Sequence, residues 1–172
     1  MNLLHDIEAG TPEAMNVVIE INKGSKNKYE IDKKTGLITL DRVMHSSQDY
    51  PFDYGFVPQT HWDDGDALDV VVLTTYPLFP GLLLEARPVA IMHMIDGGDA
   101  DEKVIAVPVG DPRFADIKDL SDINPHTLKE IKHFFMTYKQ IQNKEVTVGE
   151  FEGKNAAMQA FTRATELYKE KK

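Results

Sequence analysis

Asp63-Asp64-Gly65-Asp66-Ala67-Leu68-Asp69-Val70-Val71-Val72-Leu73 sets four carboxylates on one glycine-centred turn and then runs straight into an apolar stretch. Carboxylates this close repel one another. An ionised group held half-buried at a strand end must find a counter-charge or shift its pKa until it neutralises. The donors are all oxygen, which suits hard ions such as Mg²⁺ or Mn²⁺ better than Zn²⁺. An EF-hand reading fails, because counting from Asp64 puts Leu68, Asp69 and Thr75 where that loop needs a ligand, a glycine and a glutamate. A strand ending in D-x-D, as an aspartyl-phosphate chemistry would use, also fails, since here the apolar run follows the carboxylates. The plain alternative is a solvated acidic turn with Gly65 as its bend. Asp69 directly before a buried-looking strand argues against it.

A second acidic stretch, Asp96-Gly97-Gly98-Asp99-Ala100-Asp101-Glu102-Lys103, repeats the design and leads into the apolar run Val104 to Val109. Two such turns converging at one end of a small β structure could bridge two cations, the usual device for in-line attack on phosphorus.

The 172 residues suit a single domain spanning 1–172, with 42% hydrophobic and 27% charged residues. Cysteine is absent, so thiolate chemistry, Cys-based zinc sites and disulfides are excluded, and a cytoplasmic location is expected. The N-terminal residues show no secretory pattern, and the apolar region from 70 to 95 is broken by Pro77, Pro80, Glu85, Arg87 and Pro88, so no membrane association is expected. A net charge of −9 argues against a nucleic-acid partner.

Strands are expected over Met15 to Asn22, Lys28 to Asp32, Leu37 to Arg42, Phe56 to Thr60, Leu68 to Leu73, Leu82 to Met94 and Lys103 to Val109. The second and third read as a hairpin about Lys33-Lys34-Thr35-Gly36. Tyr50-Pro51-Phe52-Asp53-Tyr54-Gly55 reads as a bend. Asn124-Pro125 opens a helix with Leu128, Ile131, Phe135 and Tyr138 on one face, and a second helix spans about Asn155 to Lys169. Phe134 and Ile141 lie off the first stripe, which suggests a second packed face, with His133 beside it. The fold class is α+β: an antiparallel β-barrel with helices against it. Glu20, between Ile19 and Ile21, could face the barrel interior or exterior. Lys28, Arg42 and Lys103 stand at strand ends, where surface charge and phosphate contact are both open readings.

Taken together these segments resemble the soluble inorganic pyrophosphatases of family I, in the compact prokaryotic form. The likeness runs over Val18-Ile19-Glu20-Ile21, Lys28-Tyr29-Glu30, Asp41-Arg42, Tyr50-Pro51, Asp53-Tyr54-Gly55, the Asp64 to Val70 turn, Asp96 to Lys103, Ala106-Val107-Pro108, His133-Phe134-Phe135 and Tyr138-Lys139. The resemblance implies a five-stranded OB-like barrel flanked by helices, and hydrolysis of pyrophosphate to two orthophosphates by direct attack of a metal-activated water. It implies that Asp64, Asp69 and Asp101 bind the activating Mg²⁺, with Asp69 bridging to a second ion, and that Asp96 and Asp101 hold a further Mg²⁺ arriving with substrate. Mn²⁺ is a possible substitute. By the same likeness Asp66 is the general base; Lys28, Arg42, Tyr54, Lys103, Tyr138 and Lys139 hold the phosphates; Glu20, Glu30 and Tyr50 complete the cavity. A homo-hexamer is also implied. Ala67 and Gly97 depart from the family pattern, which usually has proline at the first and often an acidic residue at the second. Two rivals stand beside this reading: a Mg²⁺-dependent nucleotide phosphohydrolase, and a non-catalytic OB-like module with a cation site.

Overall fold

The computed structural model describes residues 1–171. Its strands are β1 (Met15–Ile21), β2 (Asn27–Ile31), β3 (Ile38–Val43), β4 (Asp53–Phe56), β5 (Asp69–Val72), β6 (Leu83–Asp96), β7 (Asp99–Ala100), β8 (Lys103–Pro108) and β9 (Val146–Gly153). The helices are α1 (Pro125–Thr137) and α2 (Lys154–Glu170). Hydrogen bonding runs β1-β4-β5-β8-β6, and β6 pairs back to β1, so five strands close into a ring. The barrel core is the expected valine- and isoleucine-rich set, with Val17, Ile19, Val70, Val72, Val104 and Ala106 completely buried. One pairing departs from the antiparallel expectation: β5 and β8 run parallel, with Asp69 opposite Lys103 and Val70 opposite Val104. The long strand β6 runs antiparallel to β8, so the chain reverses twice between β5 and β8 and permits it.

Three local expectations are corrected. The strand placed at Phe56 to Thr60 ends at Phe56. Pro58 cannot donate to a ladder and Gln59 takes a φ of 52°, so the chain leaves the sheet there. The expected bend at Tyr50 to Gly55 is instead half strand, and Gly55 serves close approach rather than turning. A Cβ on it would lie 2.0 Å from the Val18 carbonyl oxygen. Strand β9, which pairs with the far half of β6, has no counterpart among the expected strands. Its register breaks between Met92 and Met94, and its half-buried pattern lacks the apolar density of the barrel strands.

Helix α1 starts as expected, with the Asn124 side chain accepting from the His126 N–H at 2.8 Å and Pro125 in the first turn. Phe134 is not on a second, outward face. It is 3% exposed and packs on Tyr50 and Phe52 at ring-centre distances of 4.8 and 5.4 Å. Ile141 lies beyond the helix, in the turn Gln140–Gln142, and is exposed, as is His133. Helix α2 covers the other side of the barrel through Ala157, Ala160, Phe161 and Ala164, and the three small alanines let the helix lie close to β6.

Candidate active site

The parallel pairing of β5 with β8 brings the N-terminal ends of both strands to one end of the barrel. Asp69 opens β5 and Lys103 opens β8, side by side in register. Lys103 is 3% exposed, and its Nζ donates to Asp69 Oδ2 at 2.6 Å and Asp101 Oδ1 at 2.5 Å. Tyr54, delivered by β4, donates its hydroxyl to the same Asp69 oxygen at 2.7 Å. The Asp63-to-Asp66 turn then folds over this pair. Its backbone closes on Trp62, whose N–H donates to the Asp66 carbonyl at 2.7 Å, while the Gly65 N–H donates to the Trp62 carbonyl at 3.1 Å. Gly65 adopts a φ of 90°, which glycine supplies without steric cost.

Both acidic turns therefore reach one place. Carboxylate oxygens of Asp64, Asp69 and Asp101 lie within 4.8 Å of one another, the only such trio of potential metal-ligating side chains among the described residues. Burial is the largest cause raising all three carboxyls above the usual range, and neighbouring carboxylates add to it. Lys103 lowers each of them but does not cancel the rise. The centre is short of positive charge and lined with hard oxygen donors, so its residues fit a divalent cation such as Mg²⁺.

These side chains form one wall of a cavity of about 270 Å³. Glu20, Lys28, Glu30, Tyr54, Asp64, Asp66, Asp69, Asp96, Asp101, Lys103, Tyr138 and Lys139, all singled out from sequence, line it. Glu20 reaches it by a β-bulge. Ile19 pairs with Gly55 and Ile21 with Tyr54, leaving Glu20 as the extra residue. Bulges re-aim side chains in this way, and this one decides the orientation that alternation left open. Glu20 accepts from the Ile31 N–H at 2.8 Å. Burial first, then the charge of Asp69, raises its carboxyl to about 8.

The opposite wall carries cations on the β2–β3 hairpin and after α1. Lys28 stands in register with Arg42 and bonds Asp41 at 2.8 Å. Lys139 pairs with Asp96, so Asp96 is engaged away from the Asp64–Asp69–Asp101 trio. Arg42 and Tyr50 do not line the cavity. Tyr50 is 2% exposed within an aromatic cluster with Phe52, Tyr54 and Phe134, and burial pushes its hydroxyl far up. Arg42 lies behind the wall, where its charge offsets the upward shifts of Tyr50 and Tyr138. Its Nη2 is buried without a hydrogen-bond partner among the described residues, which is an open donor beside the cavity.

Sequence reading missed two participants. Lys33 was read only as a hairpin-turn residue, yet it lines the cavity, pairs with Asp66 and donates to the Gly65 carbonyl at 3.2 Å. Asp41 was noted only as the neighbour of Arg42, yet it anchors Lys28. Both act across the fold, and no local spacing signals such a contact. At Gly97 and Gly98 the structure explains the departure from the family pattern. They form the two-residue turn joining Asp96 to Asp99, with φ of 61° and 90°, and such hairpin turns favour glycine at both positions.

Known proteins resemble this chain in both sequence and fold. The family described as Inorganic pyrophosphatase matches residues 17–169. An inorganic pyrophosphatase of Haloferax volcanii is 51% identical over 99% of this chain and 98% of its own length. Soluble inorganic pyrophosphatase 1 of Arabidopsis thaliana is 48% identical over 96% of this chain and 79% of its own. The crystal structure of the Thermus thermophilus inorganic pyrophosphatase superposes with a TM-score of 0.94 at 42% identity, covering 98% of this chain and 99% of that one. Whole-length likeness in sequence and in fold places this chain in the inorganic pyrophosphatase family.

Proposed function

We infer that the protein hydrolyses inorganic pyrophosphate to two orthophosphates. The observation that carries this reading is the Asp64–Asp69–Asp101 trio facing Lys28 and Lys139 across one small cavity. Pyrophosphate is small and carries roughly three to four negative charges at neutral pH. It therefore needs positive charge on both sides and a water placed in line.

In this reading Asp64, Asp69 and Asp101 hold Mg²⁺, and Asp96 with Asp101 hold a further ion when substrate arrives. Ions held there would offset the charge of the substrate and lower the pKa of the attacking water. Asp66, on the rim of the trio, accepts the proton of that water. Lys28, Arg42, Lys103 and Lys139 with the hydroxyls of Tyr54 and Tyr138 fix the two phosphates and stabilise charge on the one that departs. Glu20 and Glu30 complete the wall, and Tyr50 braces it from behind. Lys33 holds Asp66 in place until substrate is bound.

Phosphate release from pyrophosphate at millimolar Mg²⁺, set against release from ATP and against a metal-free control, tests the reading. Release from pyrophosphate alone, dependent on Mg²⁺, is expected. Equal turnover of ATP would favour the nucleotide phosphohydrolase, and no release from either would leave a cation-binding module. Ca²⁺ should not replace Mg²⁺, since a larger ion with looser geometry misplaces the water.

The reading extends to the whole chain as one domain, to a cytoplasmic setting and to a homo-hexamer. No helix of the described residues is long and apolar enough to cross a membrane. Exposed Leu37, Leu40 and Val43 on the β2–β3 hairpin, and Met136 and Ile141 near the end of α1, support contact between copies. Sedimentation velocity at pH 8 tests the assembly, and a monomer rejects it.

A further inference from the structure

Glu102 stands between Asp101 and Lys103, both of which line the cavity, yet it does not. Its side chain, one residue before β8 begins, lies on the other face. There Glu102 Oε2 accepts from the indole Nε1–H of Trp62 at 2.6 Å, and Oε1 lies 3.5 Å from His93 Nδ1. Trp62 is the single tryptophan of the chain and is 6% exposed. Its backbone closes the Asp63-to-Asp66 turn on both sides. Its ring is held from outside by Arg163 of α2, whose guanidinium lies 4.5 Å from the ring centre and bonds Asp63 at 2.6 Å. His61, one residue earlier, donates its N–H to the Ala164 carbonyl of the same helix at 3.0 Å.

The two acidic turns thus have one side-chain hydrogen bond between them on the face away from the cavity. We propose that the Trp62–Glu102 hydrogen bond is a positioning strut that sets the spacing of Asp64 against Asp101, and so preorganises this chain's cation site before any ion binds. Without a cation the carboxylates on the two turns repel, and only Lys103 draws Asp69 and Asp101 together. Lys103 bonds Asp69 and Asp101 but not Asp64. Lys33 holds the tip of the Asp64 turn through Asp66 and the Gly65 carbonyl, and Trp62 holds its base. Outer partners of this kind typically carry a 10- to 100-fold effect on metal affinity.

The inference rests on the cation-binding part of the proposed function, and it is tested by metal binding rather than by turnover. Calorimetric titration of the full-length, metal-free protein with Mg²⁺ alone is compared for wild type, Trp62→Phe, Glu102→Ala and Glu102→Gln, with folding checked by circular dichroism. Trp62→Phe keeps an aromatic face for Arg163 but removes the indole N–H together with the fused pyrrole ring, and should weaken Mg²⁺ binding about tenfold or more. Glu102→Ala should match it. Glu102→Gln retains an acceptor for the indole and should stay within about threefold of wild type. Should Glu102→Ala fail to fold, the contrast between Trp62→Phe and Glu102→Gln decides alone. Unchanged affinity in Trp62→Phe overturns the strut, and so does a Glu102→Gln loss equal to that of Trp62→Phe, which would show that the carboxylate acts through its charge. A wild type that takes up no Mg²⁺ fails the proposed function itself, which is a different result.

Discussion

The two acidic turns look alike in sequence and do different work in the fold. The first, Asp63 to Asp69, sends Asp64, Asp66 and Asp69 to the cavity and leaves Asp63 outside, paired with Arg163. Of its carboxylates the second, Asp96 to Lys103, sends only Asp96 and Asp101 there. Its Asp99 sits exposed in the short hairpin, and its Glu102 faces Trp62. The first is a loop over a parallel strand end, free to curl its carboxylates onto one centre. The second is a hairpin with a two-residue turn whose exposed tip, Gly97 to Asp99, does not line the cavity. Carboxylate count therefore says little, and backbone path decides which charges meet.

The largest effect expected from breaking this contrast is at Asp69, which alone receives both Lys103 and Tyr54. Asp69→Asn should cut Mg²⁺ affinity by roughly 10- to 100-fold, as read by calorimetry, with a fall in kcat/KM at least as large. Asp66→Asn should lower kcat by about 10² while leaving Mg²⁺ binding nearly intact, the signature of a lost base rather than a lost ligand. The reverse pattern in the two variants would exchange their roles.

A smaller effect concerns pH. Glu20 is raised from 4.5 to about 8 by burial and by Asp69, and burial raises Asp64, Asp69 and Asp101 as well. A carboxyl with a folded pKa above its unfolded one stabilises the fold below the unfolded value, and loses that contribution as pH climbs through the folded value. Carboxylates shifted down, such as Asp41 beside Lys28 and Asp32 bonded to the Lys34 N–H, act the opposite way, but their contribution is complete by about pH 5. The metal-free protein should accordingly lose Tm from pH 5 to pH 8. Saturating Mg²⁺ should remove that slope, and Glu20→Gln should flatten it. A metal-free Tm rising steadily over this range would mean that the acidic wall is not desolvated as described.

The smallest effects belong to the outer part of the second turn. Asp99→Asn should change activity less than about twofold, because that side chain is exposed and away from the cavity. Gly97→Glu would restore a carboxylate where the family often has one, and should lower the Mg²⁺ concentration needed for substrate turnover. It must do so from a φ of 61°, so a modest loss of Tm should accompany it. An unchanged Mg²⁺ requirement would show that the hairpin has no role beyond carrying Asp96 and Asp101.

Much of this was legible in the chain. The apolar runs of β1, β5, β6 and β8, the Asn124-Pro125 helix start and the alanine face of α2 are local signals, fixed by propensity, capping and periodicity. So were the two acidic turns, because hard oxygen donors crowded next to a buried strand carry their chemistry in their composition. Strand β9 was not legible, since its half-buried alternation has meaning only once β6 is long enough to receive it.

What tertiary structure alone decided is which of these groups face one another. The direction of β5 against β8 sets Asp69 beside Lys103. The bulge at Glu20 turns that carboxylate inward. The folding of the β2–β3 hairpin over the first turn lays Lys33 on Asp66, and Trp62 meets Glu102 across 40 residues of chain. The physical reason is one of range. Propensity, capping and charge density act between neighbours in sequence, whereas a site is a set of distances between side chains that only barrel closure, register and bulges bring within a few ångströms.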